Sequence, residues 1–284
     1  MIKNPESYTG WYKWKPTSDE WAELYVQKQV PMKLENNQYL LVYEDTDKDG
    51  TEHLVDQYCF ENDHLRKFSR GSIVAAKNKD TIIYPRNDEQ VCAFDLMRDH
   101  SKTIKLLTGT WGSGKTLILV EAALEALRHK VFDRVIWLRN NIDVKDTKDL
   151  GALPGEVLDK LLPFLGPFID HAGEDEVRTM LNKGSLVVEP LQSIRGRNFE
   201  NSLIMCSEAE NLTKEHIQLI IARAAEGSEV WFDADSRQRD KPVFERSKGV
   251  ETMIEKFKGE KLFGFVHLIK SERSETAAMA DLLN

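Results

Sequence analysis

TIKLLTGTWGSGKTLILVEAALEALRHK, Thr103 to Lys130, is an apolar run, a glycine-rich turn and an amphipathic run in succession. Gly109, Gly114, Lys115 and Thr116 complete G-x-x-x-x-G-K-T, the Walker A or P-loop pattern. Ile104, Leu106 and Leu107 read as a buried strand before the turn, and Leu117 to Leu127 has helical apolar spacing after it. The glycines let the backbone across Gly109, Thr110, Gly112, Ser113 and Gly114 curl so that its N–H groups face phosphate oxygens. The helix behind the turn aims its positive dipole end at the same anion. In such a loop the lysine, here Lys115, reaches the β and γ phosphates, and the hydroxyl of Thr116 ligates Mg²⁺. A glycine-rich turn of another α/β protein would not require the adjacent Lys-Thr.

Outward from this turn, the residues from Tyr84 onward alternate strand and helix patterns, which indicates a parallel sheet flanked by helices. The candidate strands are 104–107, 135–138, 186–189, 203–206, 230–233 and 265–268. The candidate helices are 116–129, 155–171, 174–182, 213–225, 250–257 and 275–283. The expected architecture is α/β, with residues 81–284 as the P-loop domain and 1–80 as a small N-terminal β-containing or connector domain.

In that first segment, Ser18 to Gln29 reads as a short helix capped by Ser18. Gln38 to Phe60 reads as a hairpin turning at Asp49-Gly50. Asp45, Asp47, Asp49 and Gly50 mimic the start of an EF-hand loop, but the flanks are strand-like and the closing position is Asp56 rather than Glu, so no calcium site is expected. Trp11, Tyr12, Trp14, Trp21 and Tyr25 can stack on bases, yet packing against the main domain or a neighbouring subunit is the favoured reading. Residues 61–80 read as a polar connection.

The chain of 284 residues carries a formal charge of −8, and neither segment has an excess of basic residues, so net charge gives no support to nucleic-acid binding. Arg237, Arg239, Lys241, Arg246 and Lys248 form a local run, interrupted by Asp240 and Glu245 and read as a solvated face. No uncharged apolar run is long enough for a membrane span and no apolar leader opens the chain. Three widely spaced cysteines, Cys59, Cys92 and Cys206, fit neither a disulfide framework nor a zinc site; a reducing cytoplasm is expected.

Three further stretches carry candidate chemistry. In Tyr84-Pro85-Arg86-Asn87-Asp88-Glu89-Gln90, the Gln90 amide can read an adenine edge and Tyr84 can stack on the ring, with Asn87 beside them; Asn and Gln near a helix start are also common caps. Leu203 to Asn211 is an apolar strand ending in an acidic turn, where a Walker B element belongs. Glu208 there is the candidate for orienting or deprotonating the attacking water. The preceding position, where an aspartate normally helps to hold Mg²⁺, is Ser207, which brings no negative charge. Asp233-Ala234-Asp235-Ser236-Arg237-Gln238 ends another strand at the same sheet edge. Gln238 suits a γ-phosphate or water sensor, and Asp235 is the candidate for the missing carboxylate. Arg139, Arg195, Arg197 and Arg273 are candidate arginine fingers.

Taken in order, PRNDEQ, GTWGSGKT, LGALPGEVLDKLLPFLGPFID at 150–170, RGRNF at 195–199, SEAENLT, ADSRQRD and ERSE at 272–275 resemble the motifs of the PhoH family from Tyr84 to the end. Departures are Ser207 for Asp, Glu210 for Gln, Ala234 for Gly, Asn140 for Pro and Trp111 inside the P-loop. The resemblance implies a RecA-like ATPase core like one lobe of a superfamily 1 helicase. Because such motors hydrolyse ATP between two lobes, it also implies a homo-oligomer, a hexamer, with Arg273 or an RGR arginine acting across the interface. Some relatives carry an N-terminal PIN ribonuclease domain; residues 1–80 are too short for one, and no nuclease activity is expected.

The resulting expectation is an ATP- and Mg²⁺-dependent hydrolase coupled to single-stranded RNA or another single-stranded nucleic acid. Lys115, Glu208, Gln238 and Arg273 would be catalytic, and Thr116, Ser207 and Asp235 would lie around the metal. Two alternatives stay open. One is a weakly hydrolysing, nucleotide-dependent assembly or RNA-binding switch, favoured by Ser207. The other is a small-molecule P-loop kinase, for which no acceptor pocket or arginine-rich lid is visible.

Overall fold

The computed structural model describes residues 8–45, 51–78, 80–139, 161–235 and 248–272. Gln238, Arg273, the Asp49-Gly50 turn, most of the 237–248 basic run, the helix at 275–283 and the first part of that at 155–171 lie outside the described residues.

Six parallel strands form the main sheet in the order β12-β7-β11-β10-β8-β9. They are β7 (Ile104–Gly109), β8 (Arg134–Arg139), β9 (Leu186–Pro190), β10 (Ser202–Cys206), β11 (Glu229–Ala234) and β12 (Phe263–Leu268). All six expected strands are present, each extended by one or two residues at an end or both. The runs lack polar alternation because helices cover both faces. Side chains divide by parity: Leu107, Val135, Trp137, Leu203, Met205 and Trp231 enter one core, while Leu106, Ile136, Ile204, Val230 and Phe232 enter the other.

The first core is closed by α2 (Asp88–Arg98), α3 (Lys115–Arg128), α4 (Gly166–Ala172) and α5 (Glu174–Lys183); the second by α6 (Lys214–Ile221) and α7 (Gly249–Phe257). The described part of the expected 155–171 helix is broken: a 3₁₀ turn spans Leu162–Leu165 and α4 begins after it. Pro163 and Pro167 sit in the first turn of these two pieces, where a missing N–H costs nothing; inside one continuous helix each would remove a hydrogen bond. Helix α6 stops at Ile221, four residues short of the expected end. Helix α2 is not among the candidate helices, although a cap at Asn87 or Gln90 is one of the two readings of its start. Its Asn87 cap and the buried Val91, Phe94, Leu96 and Met97 lie in a stretch that sequence reading treated as a ligand contact.

The N-terminal sheet has the order β1-β2-β3-β4, with β1 (Trp11–Trp14) parallel to β2 (Gln38–Asp45), and antiparallel pairing of β2 with β3 (Glu52–Glu61) and of β3 with β4 (His64–Lys67). The polar connection at 61–80 thus contains β4 and β5 (Ile73–Val74), the latter paired with β6 (Ile82–Ile83). Helix α1 (Ser18–Gln27) is capped by Thr17 rather than Ser18: Thr17 and Glu20 form a reciprocal capping box.

One face of this sheet, with Trp11, Tyr39, Leu41, Tyr43 and Cys59, enters the same core as α2 and α3; the other, with Leu40, Val42 and Tyr58, packs on Leu24 of α1. Polar ties reinforce the junction. Trp11 Nε1 donates to the His267 carbonyl at 2.8 Å, and the Asn37 amide donates to the carbonyls of Glu260, Lys261 and Phe263 at 2.9–3.0 Å. Arg66 bridges Glu61 and Asp95. Most of the N-terminal aromatics therefore serve packing: Trp11 and Trp14 are buried, Trp21 stacks on Tyr25 at 5.3 Å, and Tyr25 donates to Asp56. No described helix is long and apolar enough to cross a membrane.

Candidate nucleotide-binding site

Strand β7 ends at Gly109 and α3 starts at Lys115, so the glycine-rich turn lies at the carboxyl edge of the sheet. The backbone there requires glycine. Gly114 caps α3 at φ 91°, and a Cβ on Gly109 would stand 2.3 Å from the Leu268 carbonyl oxygen. Ser113 is fully buried and its hydroxyl donates to the Thr110 carbonyl at 2.8 Å, holding the turn closed on itself. Lys115 Nζ donates to the Gly109 and Thr110 carbonyls at 2.7 and 3.0 Å, and lies 3.9 Å from Asp235. The ammonium is thereby kept at the mouth of the turn beside the helix N-terminus.

Thr116 donates its hydroxyl proton to Asp233 Oδ2 at 2.8 Å. Asp233 Oδ1 accepts the backbone N–H of Glu208 at 3.0 Å. Asp233 is buried on β11, the strand beside β7, in register with Leu107. The carboxylate touching the P-loop threonine is thus Asp233, to which the sequence reading gave no role. Asp235, the candidate for the missing carboxylate, lies beside Lys115, 3.9 Å from its ammonium. Ser207 follows β10, one strand farther from β7. Strand parity was the available signal: residues 231 and 233 share the face on which α3 packs, and a carboxylate at that end of β11 meets the first turn of α3.

Glu208 is exposed and adopts the left-handed conformation, φ 58° and ψ 42°. A non-glycine residue there costs roughly 1–3 kcal/mol, and the hydrogen bond to Asp233 helps to hold it. Its free carboxylate is presented at the same edge as Lys115 and Thr116. Behind it, Glu210 is buried and accepts the Asp235 N–H at 2.9 Å. Burial, then the nearby Asp233 and Glu208 charges, push its pKa up to about 7, against the partial relief given by the Asp235 and Glu210 N–H groups.

Gln90 is turned onto protein. Its Nε2 donates to the Ser113 carbonyl at 2.9 Å and its Oε1 accepts the Arg86 N–H at 2.8 Å, so the amide ties α2 to the P-loop. Asn87 caps α2 and donates to Glu272 at 2.8 Å. Beside them lies a cavity of about 580 Å³ lined by Tyr84, Pro85, Gln90, Phe94, Leu117 and Glu272 among others. Tyr84, 61% exposed, forms part of its rim. Residues 269–272 cross the turn from the other side: the Glu272 N–H bonds the Gly112 carbonyl, the Ser271 hydroxyl bonds the Trp111 carbonyl, and Glu89 accepts the Ile269 and Lys270 N–H groups.

Among the candidate arginines, Arg139 lies over Trp137, and Arg197 is paired with Glu189. Arg195 is exposed beyond the 3₁₀ turn Leu191–Ile194.

Among the described residues no three His, Cys, Asp or Glu converge into a metal cage. A magnesium ion riding on a nucleotide does not need one: a hydroxyl and a carboxylate suffice, with phosphates and waters completing the octahedron. Thr116 and Asp233 are of that kind.

The chain is 33% identical over 213 residues to Protein PhoH2 of Bacillus subtilis (strain 168), covering 71% of this chain and 48% of that protein. It is 32% identical over 206 residues to Protein PhoH of Escherichia coli (strain K12), covering 70% and 57% respectively. It spans about half the length of these curated relatives. Among solved structures, the large terminase from the thermophilic bacteriophage D6E matches with a TM-score of 0.43 at 11% identity, over 68% of this chain and 49% of that one. A model of the family described as PhoH-like protein matches residues 82–281, the part of the chain that builds the P-loop, the sheet around it and the crossing segment at 269–272. The chain belongs to the PhoH family.

Proposed function

We propose that this chain binds ATP with Mg²⁺ at the Gly109–Thr116 turn and hydrolyses it. The observation that carries the reading is the convergence, at one sheet edge, of Lys115, Thr116 and the buried Asp233 with the exposed carboxylate of Glu208. The triphosphate would lie on the N–H groups of the turn and the α3 dipole. Lys115 would exchange its loop carbonyls for β- and γ-phosphate oxygens, and Glu208 would orient the attacking water. The base would enter the cavity rimmed by Tyr84, with Gln90 holding the loop and offering its second amide proton.

Turnover would be coupled to single-stranded nucleic acid, RNA above DNA. One RecA-like core supplies one face of a motor site, so the working form would be a homo-oligomer, six copies by family resemblance, with Arg273 or Arg195 reaching a neighbour's γ-phosphate. Gln238 would sense that phosphate. Domains at 1–80 and 81–284 and a cytoplasmic location belong to the same reading.

Purified protein should show Mg²⁺-dependent ATP turnover, raised by single-stranded RNA. Lys115→Ala should lower it by about 100-fold or more, the scale of losing one group that stabilises transition-state charge. Nucleotide binding with turnover no higher than in Lys115→Ala would replace the motor with a nucleotide-gated switch, the reading that the neutral Ser207 favours. No nucleotide binding at all would remove both.

A further inference from the structure

We infer that Asp233, on β11, is the carboxylate that holds the nucleotide's divalent cation in this chain, in the role left without a charge by Ser207 on β10. The inference rests on the nucleotide reading above and adds a metal-site residue to it.

Four observations carry it. First, the Thr116 hydroxyl gives its proton to Asp233 at 2.8 Å, which leaves the oxygen lone pairs of Thr116 free to face a cation. A hydroxyl ligand needs an acceptor behind it for the same reason that a histidine ligand does. Second, Asp233 is 3% exposed and has two hydrogen bonds, from Thr116 and from the Glu208 N–H, but among the described residues no lysine, arginine or histidine pairs with it. A buried carboxylate without a counter-charge is costly, and a divalent cation beside Thr116 would supply one. Third, the P-loop hydroxyl of Thr116 is bonded to Asp233, whereas the other nearby aspartate, Asp235, lies beside Lys115, with Oδ2 3.9 Å from Nζ. Fourth, Asp233 brings a charge to this edge from β11, where the end of β10 brings none. Strand β11 lies directly beside β7, and Ser207 at the end of β10 is neutral.

Asp233 then has two tasks. Oδ2 sets the cation side of Thr116, and Oδ1 holds the backbone of Glu208 in its left-handed conformation. The cation and the carboxylate that orients the water would be placed by one side chain. A net negative charge would be retained at the site although it has moved from one strand to the next.

The test uses Mn²⁺ in place of Mg²⁺ and a non-hydrolysable ATP analogue, with free Mn²⁺ read by electron paramagnetic resonance. Metal-free binding of the same analogue is measured in parallel. Asp233→Asn keeps the shape of the side chain and removes its charge. It should weaken Mn²⁺ binding to the protein–nucleotide complex about 10- to 100-fold, with metal-free nucleotide affinity within about 2-fold. Ser207→Asp added to Asp233→Asn should recover at least about 10-fold of that loss, an outcome that a folding defect alone would not produce. Unchanged Mn²⁺ affinity in Asp233→Asn would overturn the assignment. So would an equal loss of metal-free binding, which would make Asp233 scaffolding only. If the unsubstituted protein binds no nucleotide in either condition, the nucleotide reading itself fails, and this inference fails with it.

Discussion

Glu210→Gln should make the protein more stable at pH 8 and leave it unchanged at pH 4. Glu210 is 5% exposed, and burial raises its pKa from 4.5 to about 7. Between those two values the folded chain holds a proton that the unfolded chain has released. Stability contributed by this group is therefore fully present below pH 4.5 and is lost as pH rises through about 7. Each pKa unit is worth about 1.4 kcal/mol, so the loss levels off at on the order of 3 kcal/mol above neutral pH. Glutamine has nearly the same shape, still accepts the Asp235 N–H, and does not titrate. In a chain of this size such a gain raises Tm by on the order of 5 °C. The assay is thermal and urea unfolding of both proteins at pH 4, 6 and 8. The reasoning is refuted if Glu210→Gln is no more stable at pH 8, or if its advantage is the same at every pH, which would assign the effect to packing rather than charge.

Two further outcomes test how the fold is held. Lys105 is fully buried on β7, with Nζ 2.9 Å from Glu229, 3.0 Å from the Met97 carbonyl and 4.8 Å above the Trp231 ring. Glu229→Gln should cost about 3–5 kcal/mol in urea unfolding because it leaves that ammonium without its counter-charge, and adding Lys105→Met should return most of the loss; a cost below about 1 kcal/mol for the single change would mean the pair is not desolvated as drawn. Gly10→Ala should destabilise by about 2 kcal/mol or more, since φ is 80° there and the new Cβ would stand 1.8 Å from the Phe265 carbonyl oxygen; an unchanged Tm would show that the N-terminal sheet does not seat on β12 in this way.

The PhoH-type core was legible because its signals are local. Glycine spacing, a lysine-threonine pair and an apolar run on either side report strand, turn and helix without knowledge of anything distant, and the six buried strands read as apolar runs because both faces are covered. Competing local signals obscure other elements. Asn87 and Gln90 looked like ligand contacts, and the helix they start was passed over, although Val91, Phe94 and Met97 give its buried face. The two prolines after Leu161 were readable as breaks by their chemistry, yet the helical spacing around them prevailed in the sequence reading.

The phosphate turn, the strands behind it and the acidic strand ends at the same edge are therefore encoded in short windows of residues. Which acidic side chain meets which partner was decided by the tertiary structure alone. Asp233 reaches Thr116 across 117 positions of chain because β11 is inserted between β7 and β10; Asp235, only two residues on, meets Lys115 instead. Glu229 finds Lys105 for the same reason, across the β11–β7 boundary. Strand order is set by which crossover helices fit on which face, a property of the whole packed sheet, and no window of neighbouring residues contains it.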